Sequence, residues 1–338
     1  MQKFKPFEYM LINLANNFGL DKESYDTRLE WANAHLDKLE SLVQQADEPE
    51  LFYKDILNIR RAQAKKATGT IVQFDAVCSG IQILSCLTRC RSGAMATGLI
   101  NTGKRPNAYL EVHKEMEEIL GKGFDISYKN IKQCVMTAVY GSQQTPKDIL
   151  GEGAILNAFH KATKKVAPGA FAMLEILRAT WNPEGLFHEW TLPDGYLAHV
   201  KVLDKKIVRL EIDELDHYKM STLVTVNTPV EFGLANIANV THSIDAFVLR
   251  EVIRYCSFSH EVLKSYKLAI NKELLTANRK TNSKINKHIK EVNYYSINLL
   301  EQYSIKVLSK EVLSKLLDEI DFALETKKSF QVLTIHDC

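Results

Sequence analysis

The sequence predicts a mostly helical α+β protein. Apolar residues recur at helical spacing through most of the chain, while three short segments are rich in β-branched and aromatic residues. The Pro193-Asp194-Gly195 turn marks a change from the first pattern to the second. With 338 residues, 46% of them hydrophobic, the chain can bury a core spread over two or three subdomains.

Residues 5–48 are expected to be helical, because Phe7, Met10, Leu11 and Leu14, then Trp31, Leu36, Leu39 and Leu42, repeat on one face; Gly19 to Lys22 interrupts them. The basic residues Arg60, Arg61, Lys65 and Lys66 lead into Thr70 to Asp75, which reads as a strand ending at an acidic residue. Ser79-Gly80 opens a helix through Leu84 and Leu87. Helices are also expected over 108–120 and 129–140 and within 153–180. Residues 197–229 alternate as an extended hairpin, and 233–327 return to helix, with a lysine-rich middle. Phe330 to Cys338 forms a further strand delivering Asp337, whose open edge implies more chain or another polypeptide to complete the sheet.

The formal net charge of +2 leaves a nucleic-acid partner open, since phosphate contacts need a local basic surface rather than a basic whole. No apolar run approaches the roughly 20 residues that span a bilayer, and the N-terminus lacks signal-peptide architecture, so a soluble, intracellular protein is expected. The six cysteines, at 78, 86, 90, 134, 256 and 338, contain no C-x-x-C pair. They are expected to be reduced and mostly buried, without a zinc site or a disulfide framework.

Two features carry chemistry. Asp75 and Asp337, far apart in sequence and each at a strand end, are the arrangement a two-metal phosphoryl-transfer site requires; either one alone reads more readily as a turn or cap residue. Lys129, Lys132, Met136 and Tyr140 fall on one helical face, offering cations for a triphosphate, an apolar strip and a ring on which a base can stack. Gly141 leaves room for close approach of a strand. On spacing alone, an amphipathic helix with two solvated lysines is the favoured reading.

The words in which these residues stand resemble one family. Phe74-Asp75-Ala76-Val77-Cys78-Ser79-Gly80-Ile81-Gln82 resembles motif A, D-G-S-C-S-G-I-Q, of the single-subunit RNA polymerases of phages and mitochondria. Lys132 to Ser142 resembles that family's motif B, K-R-x-V-M-T-x-x-Y-G-S, and His336-Asp337-Cys338 the start of its motif C, H-D-S. Three more segments follow the family's order. Asn16 to Lys22 with Arg28, Glu30 and Trp31 resembles G-x-D-K…R-x-x-W; Trp190 to Gly195 resembles W-x-T-P-D-G; Asn239 to Asp245 with Leu249-Arg250 resembles N-F-V-H-S-x-D…L-R.

The resemblance implies a right-handed palm and fingers fold with a small antiparallel palm sheet. Residues 1–100 and 233–338 would form the palm, and 101–232 the fingers, with the hairpin in the place of a specificity loop. It implies a DNA-directed RNA polymerase using a DNA template, NTPs and two Mg²⁺ ions to make RNA. Asp75, Asp337 and the carbonyl of Ala76 would hold the metals; Lys132, with Lys22 and Lys129, would bind phosphates; Tyr140 and His242 would select the ribose 2′-OH, beside Met136 and Gly141. Ala76-Val77, Gln133 and Tyr128 stand where the family has Gly-Ser, Arg and Arg. The family's long N-terminal domain and T/D-x-x-G-R element are not among these residues, which implies a split bacteriophage enzyme, an obligate heterodimer acting in host cytoplasm. A family A DNA polymerase shares the palm aspartates and the K…Y-G helix, but Gln82 within S-G-I-Q is the RNA-polymerase word. A non-catalytic nucleic-acid-binding subunit of the same fold is the remaining alternative. The lysine-rich stretch near 255–325 reads as an insertion, either a solvated helical pair or a track for a nucleic-acid backbone.

Overall fold

The computed structural model describes residues 4–71, 76–103, 105–121, 125–326 and 329–334. They fall into two compact units, Met1–Met173 and Leu174–Cys338.

The N-terminal unit is helical. α1 (Pro6–Ala15) runs into a wide turn at Asn16–Leu20, followed by α2 (Tyr25–His35), a tighter helical stretch at Leu36–Gln45, and α3 (Pro49–Gln63). The break at Gly19 has a plain cause. Its φ is +117°, and a Cβ there would lie 2.6 Å from Asp47 Oδ2. Leu11, Leu14, Ala32, Leu39, Phe52, Ile56 and Ile59 form the core of this part, and Phe18 joins them through ring contacts to Trp31 at 4.3 Å and Phe52 at 5.5 Å. Arg60 and Arg61, expected in a basic connector, belong to the last turn of α3; Arg60 pairs with Glu40 at 2.8 Å.

α4 (Ser79–Thr88), α5 (Arg91–Ala96), α6 (Ala108–Leu120), α7 (Tyr128–Ala138), α8 (Gln144–Leu150), α9 (Ala154–Val166) and α10 (Pro168–Ala179) follow. α6 packs on both α7 and α9. Val112, Met116, Ile131, Cys134, Val135, Phe159 and Ala162 are all buried here, the helical periodicity of the sequence converted into one interior. The division between the units falls within α10.

The C-terminal unit carries all the strands found among the described residues. The expected hairpin over 197–229 is two hairpins. Leu192 to Tyr196 closes a turn, so β2 (Leu197–Lys201) pairs back onto β1 (Phe187–Thr191), with Thr191 opposite Leu197. β3 (Leu203–Ile212) and β4 (Tyr218–Asn227) form the longer ribbon, with Ile207 opposite Leu223. α11 (Ala235–Cys256), α12 (His260–Leu274), α13 (Ser283–Val292), α14 (Leu299–Gln302) and α15 (Lys310–Thr326) complete the unit. The lysine-rich region has its own core, built from Leu263, Ile270, Ile289, Leu308, Val312, Leu316 and Ile320 among others; a bare helical pair would not bury so much.

Two expected strands differ from the structure. Thr70 and Ile71 adopt no regular secondary structure, and neither do Ser329 to Thr334; the remainder of each segment, with Asp75 and Asp337, lies outside the described residues. β-Branched composition favours an extended backbone, but only a pairing partner makes a strand. Among the five cysteines that are described, only Cys134 is buried; Cys78, Cys90 and Cys256 are half-buried and Cys86 is exposed, all five free, and Cys338 lies outside the described residues. Among the described residues no helix is long and apolar enough to cross a membrane.

Candidate active site

The N-terminal unit brings two of the motif segments together. Cys78, with φ of +57°, turns the chain into α4, so Ser79 and Gly80 form the first turn of that helix. Gly80 is required by closeness. A Cβ there would sit 2.9 Å from Val139 Cγ1 and 3.3 Å from Tyr140 Cζ. The hydroxyls of Ser79 and Tyr140 are 3.4 Å apart. Gln82 Nε2 donates to Thr97 O at 2.8 Å, tying α4 to the chain after α5.

α7 is capped by Ser127 Oγ, which accepts from Asn130 N at 3.2 Å. Its buried face is Ile131, Cys134, Val135 and Ala138. Lys129, Lys132, Gln133 and Met136 face solvent, with Met136 46% exposed. Tyr140 lies beyond the last helical residue, not on the helix face as its spacing suggested. The helix stops because Gly141 takes φ of +94°, while Gly141 N donates to Ala138 O and Ser142 N to Thr137 O. Tyr140 is thereby held half-buried in a closed turn.

Tyr109, in the first turn of α6, joins these parts. The Lys132 ammonium lies 5.7 Å from its ring centroid, and its phenol hydrogen-bonds with the Cys78 thiol. Burial raises the pKa of both groups, and the thiol's negative form would raise the phenol's further, so both stay protonated near neutrality. Tyr128 exchanges hydrogen bonds with Asn107 at 3.2–3.3 Å. Neither Lys129 nor Lys132 forms an ion pair among the described residues.

Lys22 stands on a loop made rigid from behind. The Arg28 guanidinium, 8% exposed as a residue, donates to Asn16 Oδ1 at 2.5 Å and to Glu23 O at 2.8 Å, and lies 4.6 Å from the Tyr25 ring. Buried Asp55 accepts from Asn13 and Asn17, each at 2.7 Å; burial nonetheless pushes its pKa up. Lys22 itself is exposed and pairs with Asp21. The Arg and Trp of this segment are thus a loop anchor and a core ring, leaving the lysine as the group facing solvent.

In the C-terminal unit, Trp190 Nε1 donates to Ser243 Oγ at 2.9 Å. Asp194, its side chain 2% exposed, accepts from Arg250 Nε at 2.6 Å with Arg254 at 3.6 Å. Burial alone would raise the Asp194 pKa; the Arg250 hydrogen bond and charge outweigh it and hold the carboxyl below the usual range. The W-T-L-P-D-G turn and α11 are therefore one assembly. His242 is exposed on α11, one residue from Ser243. Ser329 and Phe330 bond to the α11–α12 junction: Phe330 N donates to Cys256 O at 2.8 Å and Phe258 N to Ser329 Oγ at 3.0 Å.

Residues 4–149 match the family model of DNA-dependent RNA polymerase. Over that segment, which is less than half of its length, the chain is similar to that family. A probable DNA-directed RNA polymerase of Neurospora crassa is 28% identical over 154 residues, which cover 39% of this chain and 17% of that protein. The chain thus spans only a small part of that relative's length.

The expected metal ligands Asp75 and Asp337 lie outside the described residues. Ala76 is exposed and in no regular element. Among the described residues, one group of side chains has metal-ligating geometry: Glu211, Asp213 and His217, all exposed, at the tip of the β3–β4 ribbon. None of them is an expected ligand. Tyr109 and the Asp194–Arg250 pair escaped sequence reasoning. A tyrosine at a helix start reads as core, and no spacing rule links residues 56 positions apart as Asp194 and Arg250 are.

Proposed function

We propose that this chain is the catalytic part of a DNA-directed RNA polymerase, joining NTPs on a DNA template and releasing pyrophosphate. The observation that carries the reading is the meeting of Ser79-Gly80 with Tyr140, beside Lys132 and Tyr109, inside the segment that matches the family. In this reading 1–100 and 233–338 are palm and 101–232 fingers.

Each residue has a physical task. Lys132, with Lys129 and Lys22, neutralises the β- and γ-phosphates and the charge building on the leaving pyrophosphate. Exposed Met136 offers an apolar surface to the incoming base, and the Tyr140 ring a stacking face. The Tyr140 hydroxyl and His242 pair with the 2′-OH, so a deoxynucleotide leaves a polar group unpartnered. Gly141 sets the turn that aims Tyr140. Asp75, Asp337 and the Ala76 carbonyl supply hard oxygen donors of the kind Mg²⁺ prefers, and would hold two ions. Bound there, the ions supply charge neutralisation for the attacking and leaving oxygens.

The test is extension of a primed RNA–DNA hybrid with Mg²⁺ and either NTPs or dNTPs, by the chain together with any co-purified subunit. Wild type extends with NTPs, Asp337→Asn does not, and Tyr140→Phe loses preference for NTPs. No extension with NTPs by wild type overturns the reading. Full activity of Asp337→Asn overturns the metal assignment, and unchanged discrimination by Tyr140→Phe the sugar-selection role.

A further inference from the structure

Charge is distributed unevenly over the helical subdomain of the C-terminal unit. Residues 260–292 contain eight Lys and Arg against three Glu, whereas 299–326 contain three Lys against six Asp and Glu. The two halves meet through ion pairs: Lys267 with Asp321 at 2.6 Å, and Lys290 with Glu311. Lys287 is matched by Glu291 at 3.7 Å on its own helix. These pairs use the lysines that face α15. Lys264, Lys272, Lys280 and Lys284 are left exposed, with no ion pair among the described residues.

Those four lysines do no work for the fold. The core beneath them is aliphatic, and the loop carrying Lys280 is held by other groups. Arg279 donates to Leu308 O at 2.7 Å and Ile305 O at 2.9 Å and pairs with Glu273 at 3.0 Å. Asn282 N donates to Val307 O at 2.9 Å, and Asn282 Oδ1 caps α13 by accepting from Lys284 N and Ile285 N. Asn286 Nδ2 donates to Val307 O at 2.9 Å, and its Oδ1 accepts from Ser309 N at 2.6 Å. Lys264 and Lys272 lie two turns apart on the outer face of α12, roughly 12 Å along the helix axis. Lys280 lies in the anchored loop and Lys284 in the first turn of α13. The result is a set of four exposed charges on a fixed support, without ion pairs among the described residues.

We propose that the outer side of α12, the 275–282 loop and the first turn of α13 form a docking surface for the phosphate backbone of double-stranded DNA. A polyanion is the partner that a set of exposed lysines without ion pairs complements, since each contact releases condensed counterions. Duplex is favoured over single strand by what the surface lacks. Its exposed apolar residues are Val262, Leu268, Leu275 and Val292, and Tyr266 is packed against the core, so no Phe, Tyr or Trp ring is exposed for unstacked bases. Lysine side chains without arginine forks or base-reading amides give affinity without sequence preference. This surface rests on the reading of the chain as a DNA-dependent polymerase, but its test reads binding, not synthesis, so either can fail alone.

The experiment compares the full chain, with any co-purified subunit, and its Lys264→Gln/Lys272→Gln/Lys280→Gln/Lys284→Gln variant. Fluorescence anisotropy follows a labelled DNA duplex, and separately a single strand of the same length, over a range of salt concentrations. The quadruple Lys→Arg variant is the charge-retaining control, and circular dichroism checks the fold. The Gln variant is expected to bind duplex about tenfold or more weakly near 0.1 M salt, with the log–log salt slope shallower by about 2–4, each lost contact removing about 0.9. Single-strand binding stays within about twofold, and the Arg variant binds duplex like wild type. An unchanged duplex slope in the Gln variant overturns the proposal. So does a loss on the single strand equal to that on the duplex, which would mark a single-strand track instead.

Discussion

Replacing Gly80 with Ala sets two opposing effects against each other. Gly80 is in the first turn of α4, and Ala favours a helix over Gly by up to about 1 kcal/mol. The added methyl, however, would sit 2.9 and 3.0 Å from the two Val139 methyls and 3.3 Å from Tyr140 Cζ. Val139 is 1% exposed, so it has no space to rotate into. Overpacking of this kind costs about 1–3 kcal/mol, and the balance is a destabilisation of about 0–2 kcal/mol. The effect on synthesis should be larger. The contact is relieved most easily by moving half-buried Tyr140, and a displacement of about 1 Å at a substrate-positioning group costs up to about 100-fold. Thermal denaturation and steady-state NTP incorporation, run on the same preparations, separate the two effects. A variant about 1 kcal/mol more stable than wild type, with unchanged kcat/KM for NTPs, would refute the packing argument and the placement of Tyr140 with it.

Tyr109→Leu removes the ring beside Lys132 and is expected to raise KM for NTPs several-fold. Tyr109→Phe keeps the ring, loses only the bond to Cys78, and costs about 1 kcal/mol of stability with little change in KM. Asp194→Asn strips Arg250 and Arg254 of their carboxylate and should cost about 2–3 kcal/mol in chemical denaturation at pH 7. The folded-state pKa of Asp194 is lowered, so its contribution is present above the unfolded value of 3.8 and is lost as pH falls below it toward the native value. The Asn variant should lack that acid-side loss. Asp55 has the opposite sign. Its folded pKa is raised above 3.8, so stability falls as pH climbs through the raised value, and Asp55→Asn should flatten that fall in denaturant midpoints measured across pH 4–8.

Much of the helical framework was legible because helical periodicity survives wherever one face is buried. α4, α6 and α7 begin and end close to where spacing, capping residues and glycines place them. The strands were less legible. The Pro193-Asp194-Gly195 turn was visible, but not that it would fold β2 back onto β1, since Leu197 to Lys201 alternates equally well in either pairing. Thr70 and Ile71 have strand composition and no strand partner among the described residues, which composition cannot reveal. The lysine-rich region was readable as helix, yet its separate core depends on Leu308, Val312 and Leu316 meeting α12 across more than 30 residues of chain.

The motif segments mix two kinds of residue, and the structure separates them by what each side chain touches. Arg28, Trp31, Gly80, Gln82, Asp194 and Arg250 are spent on the fold: each is buried, hydrogen-bonded inward, or excluded by contact from carrying a larger side chain. Lys22, Lys129, Lys132, Met136 and His242 point the other way, exposed on surfaces that those residues shape. The departures at Tyr128 and Gln133 then have a definite consequence. Tyr128 is engaged with Asn107 and Gln133 is neutral, so the positive charge of α7 comes from lysines alone. An ammonium is a mobile point charge where a guanidinium is a fixed two-pronged donor. On the proposed function, phosphate recognition on this helix would therefore depend on field rather than on bidentate geometry, and would weaken more steeply with ionic strength than a site built on arginine.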